Sequence, residues 1–234
     1  MDKILGFEKL SLVDYDGYVA CTIFMGNCNF RCPFCHNSSL VLEHNDLQSL
    51  DKNEILKYLE SKKKMIDAVC ISGGEPTLCK GLNSLIQEIK NLGFLVKLDT
   101  NGSNYEVLKY LIDNKMIDYV AMDVKNGLKR YNETIGDMKA NNNLLYNVIK
   151  SIKLLQENRI DYEFRTTLVK EFHSIEDIYD LKELLKGSKK LFLQHFVDRG
   201  TCIKQGLHDI NESEAKKFKE ILEEDIENVY LRGY

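Results

Sequence analysis

Three cysteines crowd into one run, Cys28-Asn-Phe-Arg-Cys32-Pro-Phe-Cys35-His36-Asn37, while Cys21, Cys70, Cys79 and Cys202 stand apart. The spacing C-x3-C-x2-C brings three thiolates to one centre from a single short loop. A four-iron cluster takes four thiolates. Three leave one iron open to another ligand, which is the logic of a catalytic rather than a closed site. Structural zinc is the alternative, with His36 or a distant cysteine as fourth ligand. Such sites more often pair two knuckles, the chain has no second C-x2-C, and His36 follows Cys35 too directly to share its metal easily. The four isolated cysteines read as small buried hydrophobes.

Four other places carry candidate chemistry. In Ser72-Gly73-Gly74-Glu75-Pro76 the paired glycines let backbone approach a ligand closely. Their carbonyls suit an ammonium group, and Glu75 would add negative charge beside it. Asp99-Thr100-Asn101-Gly102 forms a turn at a strand end. Asp123 and Lys125, two apart on one strand, share a face. A solvated ion pair is the ordinary outcome of that spacing, but the apolar residues around Asp123 predict partial burial. Arg165 ends a later strand, where it is either a site residue or a surface charge. His195, in Leu193-Gln194-His195-Phe196, suits a ligand contact and a satisfied core histidine about equally.

The elements that must position these residues alternate. Strands are expected at 18–25, 68–72, 94–99, 118–124, 162–169 and 191–196, with helices at 52–60, 82–89, 105–114, 144–156, 175–186 and 212–223. The helices are read from apolar residues at i, i+3, i+4 and i+7, as in Leu82, Leu85, Ile86 and Ile89. A closing strand is expected at 228–232. Strand–helix alternation implies right-handed βαβ units and a parallel sheet. Six such strands fall short of a closed eight-stranded barrel, so the expected fold is α/β: an open, partial (βα)6 TIM-like barrel. Sites in such folds gather at the C-terminal ends of the strands, where every motif above lies.

Length and composition set the outer bounds. The 234 residues are 44% hydrophobic and 29% charged, enough for one domain that buries its own core, expected over 1–234 with its centre at about 17–200. A net charge of −4 gives no broad surface for nucleic acid. No apolar run is long enough to span a membrane, and the first residues show no signal-peptide pattern. The cytoplasm is the expected location, a reducing compartment in which clustered cysteines point to metal or catalysis.

With Phe34 at the aromatic position, C-x3-C-x-aromatic-C resembles the signature of the radical S-adenosylmethionine superfamily. The resemblance implies a [4Fe-4S] cluster on Cys28, Cys32 and Cys35, its fourth iron chelated by the amino and carboxylate groups of S-adenosylmethionine. It places Phe34 against the adenine and the backbone of Gly73 and Gly74, with Glu75, at the methionyl amine. It sets Asp99, Asn101, Asp123 and Lys125 beside the cofactor carboxylate and a bound monovalent cation. Arg165 is implied near the cofactor and His195 at the ribose. Cys35-His36-Asn37 is similar to the C-H-N that ends the cluster loop in activating enzymes of glycyl-radical enzymes. The stretches from Gly6 to Tyr15 and from Val229 to Gly233 resemble the branch that activates anaerobic ribonucleotide reductase.

That branch implies a sequence of events. Flavodoxin or ferredoxin reduces the cluster, S-adenosylmethionine is cleaved to methionine and a 5′-deoxyadenosyl radical, and a hydrogen is taken from a glycine of the partner enzyme. An activator of the pyruvate formate-lyase type, a small-molecule radical enzyme such as a deazapurine synthase, and a zinc-binding interaction module are the competing readings. Two residues depart from the pattern. Asp16 replaces a proline, and Asn27 replaces the glycine before the first cysteine. Asparagine is the non-glycine residue that best tolerates a left-handed backbone. Only Cys70 lies between Cys35 and Gly73, so no cysteine-rich insert is expected there.

Overall fold

The computed structural model describes residues 3–137 and 142–234; Met1 and Asp2 of the N-terminal segment lie outside them. One eight-stranded sheet runs in sequence order: β1 (Ile4–Ser11), β2 (Ala20–Met25), β3 (Ala68–Gly73), β4 (Leu95–Thr100), β5 (Tyr119–Asp123), β6 (Asp161–Leu168), β7 (Leu191–His195) and β8 (Val229–Arg232). From β2 to β8 each neighbouring pair is parallel; β1 pairs antiparallel with β2. The helices are α1 (Ser38–Leu42), α2 (Lys52–Ser61), α3 (Leu82–Asn91), α4 (Tyr105–Asp113), α5 (Tyr131–Thr134), α6 (Asn142–Gln156), α7 (Ile175–Leu185) and α8 (Glu212–Leu222).

The open parallel barrel is as the sequence implies, and each expected strand and helix is present within about two residues. The six expected strands are β2 to β7 and the expected closing strand is β8; β1, which the alternation did not reveal, adds an antiparallel edge and brings the sheet to eight strands. β1 escaped the alternation rule because its pairing with β2 shifts register between Ile4 and Gly6 and again between Glu8 and Ser11. Each bulge resets which side chains face inward.

Two-residue periodicity decides what each face of the sheet carries. On the outer face Val96, Leu98, Val120, Met122, Phe164, Leu191 and Leu193 are fully buried. They pack against helix stripes such as Leu82, Leu85, Ile86 and Ile89 of α3. Complete burial of each such side chain is worth about 1.5–3 kcal/mol. The inner face carries Ser72, Lys97, Asp99, Asp123, Glu163, Arg165, Thr167 and Gln194, all of which line internal cavities.

The hairpin loop between β1 and β2 folds beneath the barrel and forms its floor. Tyr15 is buried there, its ring 4.7 Å from that of Tyr18 and 5.3 Å from that of Tyr119. Thr22 Oγ1 donates to Asp14 Oδ2 at 2.5 Å and so fixes the loop to β2. Arg232 on β8 reaches Asp16 at 3.4 Å, linking the two edges of the open sheet across the floor. Among the described residues no helix is long and apolar enough to cross a membrane.

Candidate active site

The cysteine run begins just past the end of β2, and the glycine pair ends β3, its parallel neighbour. Their backbones interlock. Gly74 N donates to Met25 O at 2.9 Å and Glu75 N to Asn27 O at 2.8 Å. Asn27 has φ 72°, the left-handed backbone that asparagine tolerates. Gly73 has φ 113°, and a Cβ there would overlap the backbone of Met25. A Cβ on Gly74 would overlap the carbonyl of Asn27. Both glycines are therefore required by close approach of two backbones, one of which leads into Cys28. Asn37, just after the cysteines, closes the loop by donating from Nδ2 to Gly73 O at 3.0 Å.

Cys28, Cys32 and Cys35 all line one cavity of about 630 Å³, together with Phe34, His36, Gly73, Gly74, Asp99, Asn101, Asp123, Lys125 and Arg165. Twelve of the fourteen residues expected in the site are thus gathered around one space. Burial pushes the thiols of Cys28 and Cys32 up to about 12 and raises that of Cys35. Left to themselves they stay protonated, so loading metal on them releases protons. Among the described residues no three His, Cys, Asp or Glu side chains converge as ligands of one metal ion. A four-iron cluster asks for no such convergence, because each thiolate binds a different iron.

The wall opposite is charged. Arg165 donates from Nε to Asp123 Oδ1 at 2.8 Å and from Nη1 to Asp99 Oδ2 at 3.1 Å. Lys125 Nζ reaches Asp123 Oδ2 at 2.9 Å, and Lys97 Nζ lies 2.9 Å from Asp99 Oδ1. Burial alone would raise both carboxyls. Arg165 with Lys125 at Asp123, and Arg165 with Lys97 at Asp99, outweigh it and hold both below the usual carboxylate range. Burial likewise disfavours the charge on Lys125, and Asp123 more than restores it. Three cations, Lys97, Lys125 and Arg165, face two carboxylates, Asp99 and Asp123. The surplus positive charge suits an anionic occupant, since buried charge persists only when compensated.

Two expected residues sit elsewhere. Glu75 is buried, but its carboxylate faces away from the cavity. Oε1 accepts from Thr77 N at 3.1 Å, Thr77 Oγ1 at 2.5 Å and Thr100 Oγ1 at 2.8 Å, and Oε2 accepts from Asn101 N at 2.6 Å. It ties the glycine loop to the loop after β4, and its charge helps to raise the Cys28 thiol. Asn101 then reaches back to the cysteines, with Nδ2 at 3.7 Å from Cys28 Sγ and 3.0 Å from Asn29 Oδ1. His195 points out of the barrel. Its Nε2 meets Asp209 at 2.9 Å and its ring packs on Tyr234 at 4.7 Å. Strand parity gives the reason: Phe192 and Gln194 of β7 face inward, so His195 faces outward, and Gln194 lines the cavity in its place. His36 stacks on Phe196 with rings 5.4 Å apart and 11° from parallel.

Asp14, Ser72, Thr100, Thr167, Gln194 and Arg199 also line the cavity and were not singled out from sequence. Inward parity could have found Ser72, Thr167 and Gln194. Nothing local marks Asp14 or Arg199, which arrive on loops. His173 is another omission. It is 2% exposed, its Nε2 donates to Lys125 O at 2.9 Å and its Nδ1 accepts from Val169 N at 3.0 Å. Burial lowers its pKa, so the ring stays neutral and fixes the Asp123–Lys125 segment in place.

Residues 22–185 match the Radical SAM superfamily. A Methanocaldococcus jannaschii protein with the provisional name glycyl-radical enzyme activating enzyme is 34% identical over 232 residues, covering 98% of this chain and 95% of its own. A second protein of that organism and provisional name is 30% identical over 172 residues, 73% of this chain and 62% of its own. Among solved structures, Streptococcus suis SuiB bound to S-adenosylmethionine superposes with a TM-score of 0.62 at 17% identity, over 88% of this chain and 45% of SuiB, so the chain spans less than half of that protein. A domain of a Bacteroides vulgatus pyruvate-formate lyase-activating enzyme superposes with a TM-score of 0.54 at 17% identity, over 70% of this chain and 98% of that domain. The superpositions show a shared fold, and the family match covers the cysteine loop, the glycine pair and the charged wall together. This chain belongs to the radical S-adenosylmethionine superfamily, whose members use a [4Fe-4S] cluster and S-adenosylmethionine.

Proposed function

We propose that the protein activates a glycyl-radical enzyme by removing a hydrogen atom from a glycine of that partner, with anaerobic ribonucleotide reductase as the partner. The observation that carries the reading is near full-length similarity to a relative of that provisional name, with the cysteine loop and charged wall around one cavity. The choice of reductase rests on the stretches from Gly6 to Tyr15 and from Val229 to Gly233, which form the two edges and floor of the barrel.

Cys28, Cys32 and Cys35 would hold the cluster and leave one iron for S-adenosylmethionine. Together these groups supply one-electron cleavage of a sulfonium and a carbon radical, chemistry that no side chain offers. The protein's part is to bind, orient and exclude water. The backbone carbonyls of Gly73 and Gly74 would accept from the methionyl ammonium. Arg165 and Lys125, partly neutralised by Asp123 and Asp99, leave positive charge for the methionyl carboxylate. Phe34 and His36 offer ring faces for the base, and Gln194 offers an amide at the inward position of β7. The same wall would seat a monovalent cation only through its two carboxylates, which Arg165 and the lysines already occupy. Flavodoxin or ferredoxin would deliver the electron.

The test is anaerobic. The chain is loaded with iron and sulfide, reduced and mixed with S-adenosylmethionine and purified reductase. A glycyl doublet in the electron resonance spectrum of the reductase is the expected result. Cofactor cleavage with no doublet on the reductase, but one on a formate-lyase type partner, would reassign the target.

A further inference from the structure

Lys97 sits in the middle of a core strand, 4% exposed, and the cofactor contacts proposed above make no use of it. Below, its Nζ donates to the backbone carbonyl of Asp14 at 2.6 Å. Above, it pairs with Asp99 Oδ1 at 2.9 Å. Asp14 is held in turn by Thr22 at 2.5 Å, and Cys70 Sγ donates to the same carbonyl at 3.4 Å. The other oxygen of Asp99 accepts from Ser72 Oγ at 3.0 Å and Arg165 Nη1 at 3.1 Å. One continuous line therefore runs from the hairpin floor through Lys97, Asp99, Arg165 and Asp123 to Lys125 beside the cysteines. Lys97 itself lines a smaller cavity of about 90 Å³ beneath the large one, with Asp14 lining both.

Lys97 is the third cation of the charged wall, but a surplus of charge alone does not require its ammonium to sit 2.9 Å from Asp99 and 2.6 Å from a backbone carbonyl. An inward-facing position on this sheet also accepts apolar residues, as Leu95 and Ala121 show. A buried ammonium is costly unless it is paired and hydrogen-bonded. What Lys97 adds is a second, opposed grip on Asp99. Arg165 and Ser72 hydrogen-bond one oxygen, Oδ2; the other, Oδ1, is buried without a hydrogen bond and has the Lys97 ammonium 2.9 Å away as its ion-pair partner, so Lys97 opposes the pull of Arg165 on the carboxylate.

We propose that Lys97 is a positioning residue. Anchored to the floor by the Asp14 carbonyl, it holds Asp99 in the orientation that sets Arg165 in the wall of the cavity. The inference rests on the reading that this cavity binds S-adenosylmethionine, and a double-variant cycle on the full chain separates the two. Lys97→Met removes the charge and keeps the stem; Asp99→Asn removes the charge that Lys97 holds. Urea unfolding of the wild type, both single variants and the double variant is followed at neutral pH. S-adenosylmethionine affinity is then measured by calorimetry on iron-loaded protein of matched iron content.

Lys97→Met is expected to lower the unfolding midpoint, with about half or more of that loss recovered in the double variant, since contacting residues couple. It is also expected to weaken S-adenosylmethionine about tenfold at unchanged iron content, the size of effect seen when the partner that orients a ligand is removed. Strictly additive midpoint losses, or S-adenosylmethionine bound by Lys97→Met as tightly as by wild type, would overturn the proposal. If Lys97→Met fails to fold, the double variant decides, because the proposal requires it to fold once the carboxylate that Lys97 balanced is gone. A wild-type protein that holds its cluster and binds no S-adenosylmethionine overturns the cofactor reading instead, and the unfolding cycle then decides Lys97 alone.

Discussion

The two faces of the barrel wall are made from the same strands and obey opposite rules. Outside, Val96, Leu98, Val120, Met122 and Phe164 meet helices, and each position asks only for apolar volume. Inside, Lys97, Asp99, Asp123 and Arg165 meet one another, and each position asks for a particular charge at a particular angle. A wrong residue outside leaves a hole, which neighbours partly fill. A wrong residue inside leaves a buried charge short of a partner, a loss that repacking cannot repair.

The sharpest break in the comparison comes from the cysteines, which belong to the inner space alone. Serine at Cys28, Cys32 or Cys35 should reduce iron content severely and S-adenosylmethionine cleavage to background, with the circular dichroism spectrum unchanged. Next is Arg165→Met, which takes the shared guanidinium from two buried carboxylates, leaving each with one lysine, and should cost about 3 kcal/mol by urea unfolding. An outer substitution such as Leu98→Met should cost under about 1.5 kcal/mol. Equal losses for the two would erase the distinction.

Arg165→Met also carries a pH signature. In the wild type, Asp99 and Asp123 titrate below their unfolded values, so their stabilisation is complete above about pH 5 and is lost as pH falls toward the folded-state values. Removing the guanidinium raises both folded pKa values and moves the acid limb of the stability curve to higher pH. Unfolding midpoints measured across the acid range test that direction.

Gly74→Ala probes the seam between the faces. Its Cβ would displace Asn27 and the cysteine loop with it, costing about 1–3 kcal/mol. Lower iron uptake under fixed loading conditions is the expected reading. The smallest contrast is between neighbours on one strand. Gln194→Ala should weaken S-adenosylmethionine by about tenfold, the loss of roughly one hydrogen bond. His195→Ala should leave affinity unchanged and cost at most about 1 kcal/mol of stability, the worth of a part-exposed pair. Calorimetric titration of both variants settles which parity is right, and the reverse result would mean β7 is out of register.

Much of this was legible from the sequence because the informative signals are local. A C-x3-C-x2-C run, a glycine pair and an Asp-x-Lys on a strand end each survive without knowledge of the fold. The strands were legible for the same reason, down to the closing one. What failed to read was orientation and distance. Glu75 looked like a charge at the pocket, but two threonine hydroxyls and two backbone amides from neighbouring loops claim it. His195 drew attention as a histidine, although one count of strand parity from Phe192 favours Gln194. Lys97 lies in the apolar run Phe94-Leu-Val-Lys-Leu with nothing local to mark it. Only the loop from Asp14, over eighty positions earlier, gives its ammonium a purpose. β1 hid behind two bulges.

The floor has a consequence in time. Asp14 is in place beneath the site only once Lys97 has been made, and Arg232 clasps Asp16 across 216 positions of chain. A ribosome working at about 5–20 residues per second needs roughly 10–40 s to go from Cys35 to Arg232. Throughout that interval the three thiols are translated but not enclosed. Burial, which lifts Cys28 and Cys32 to about 12 and quiets them, is a property of the finished barrel. The nascent chain carries its most oxidisable group first and its shelter last, so the yield of active protein should depend on the oxygen present during synthesis as much as on oxygen during assay.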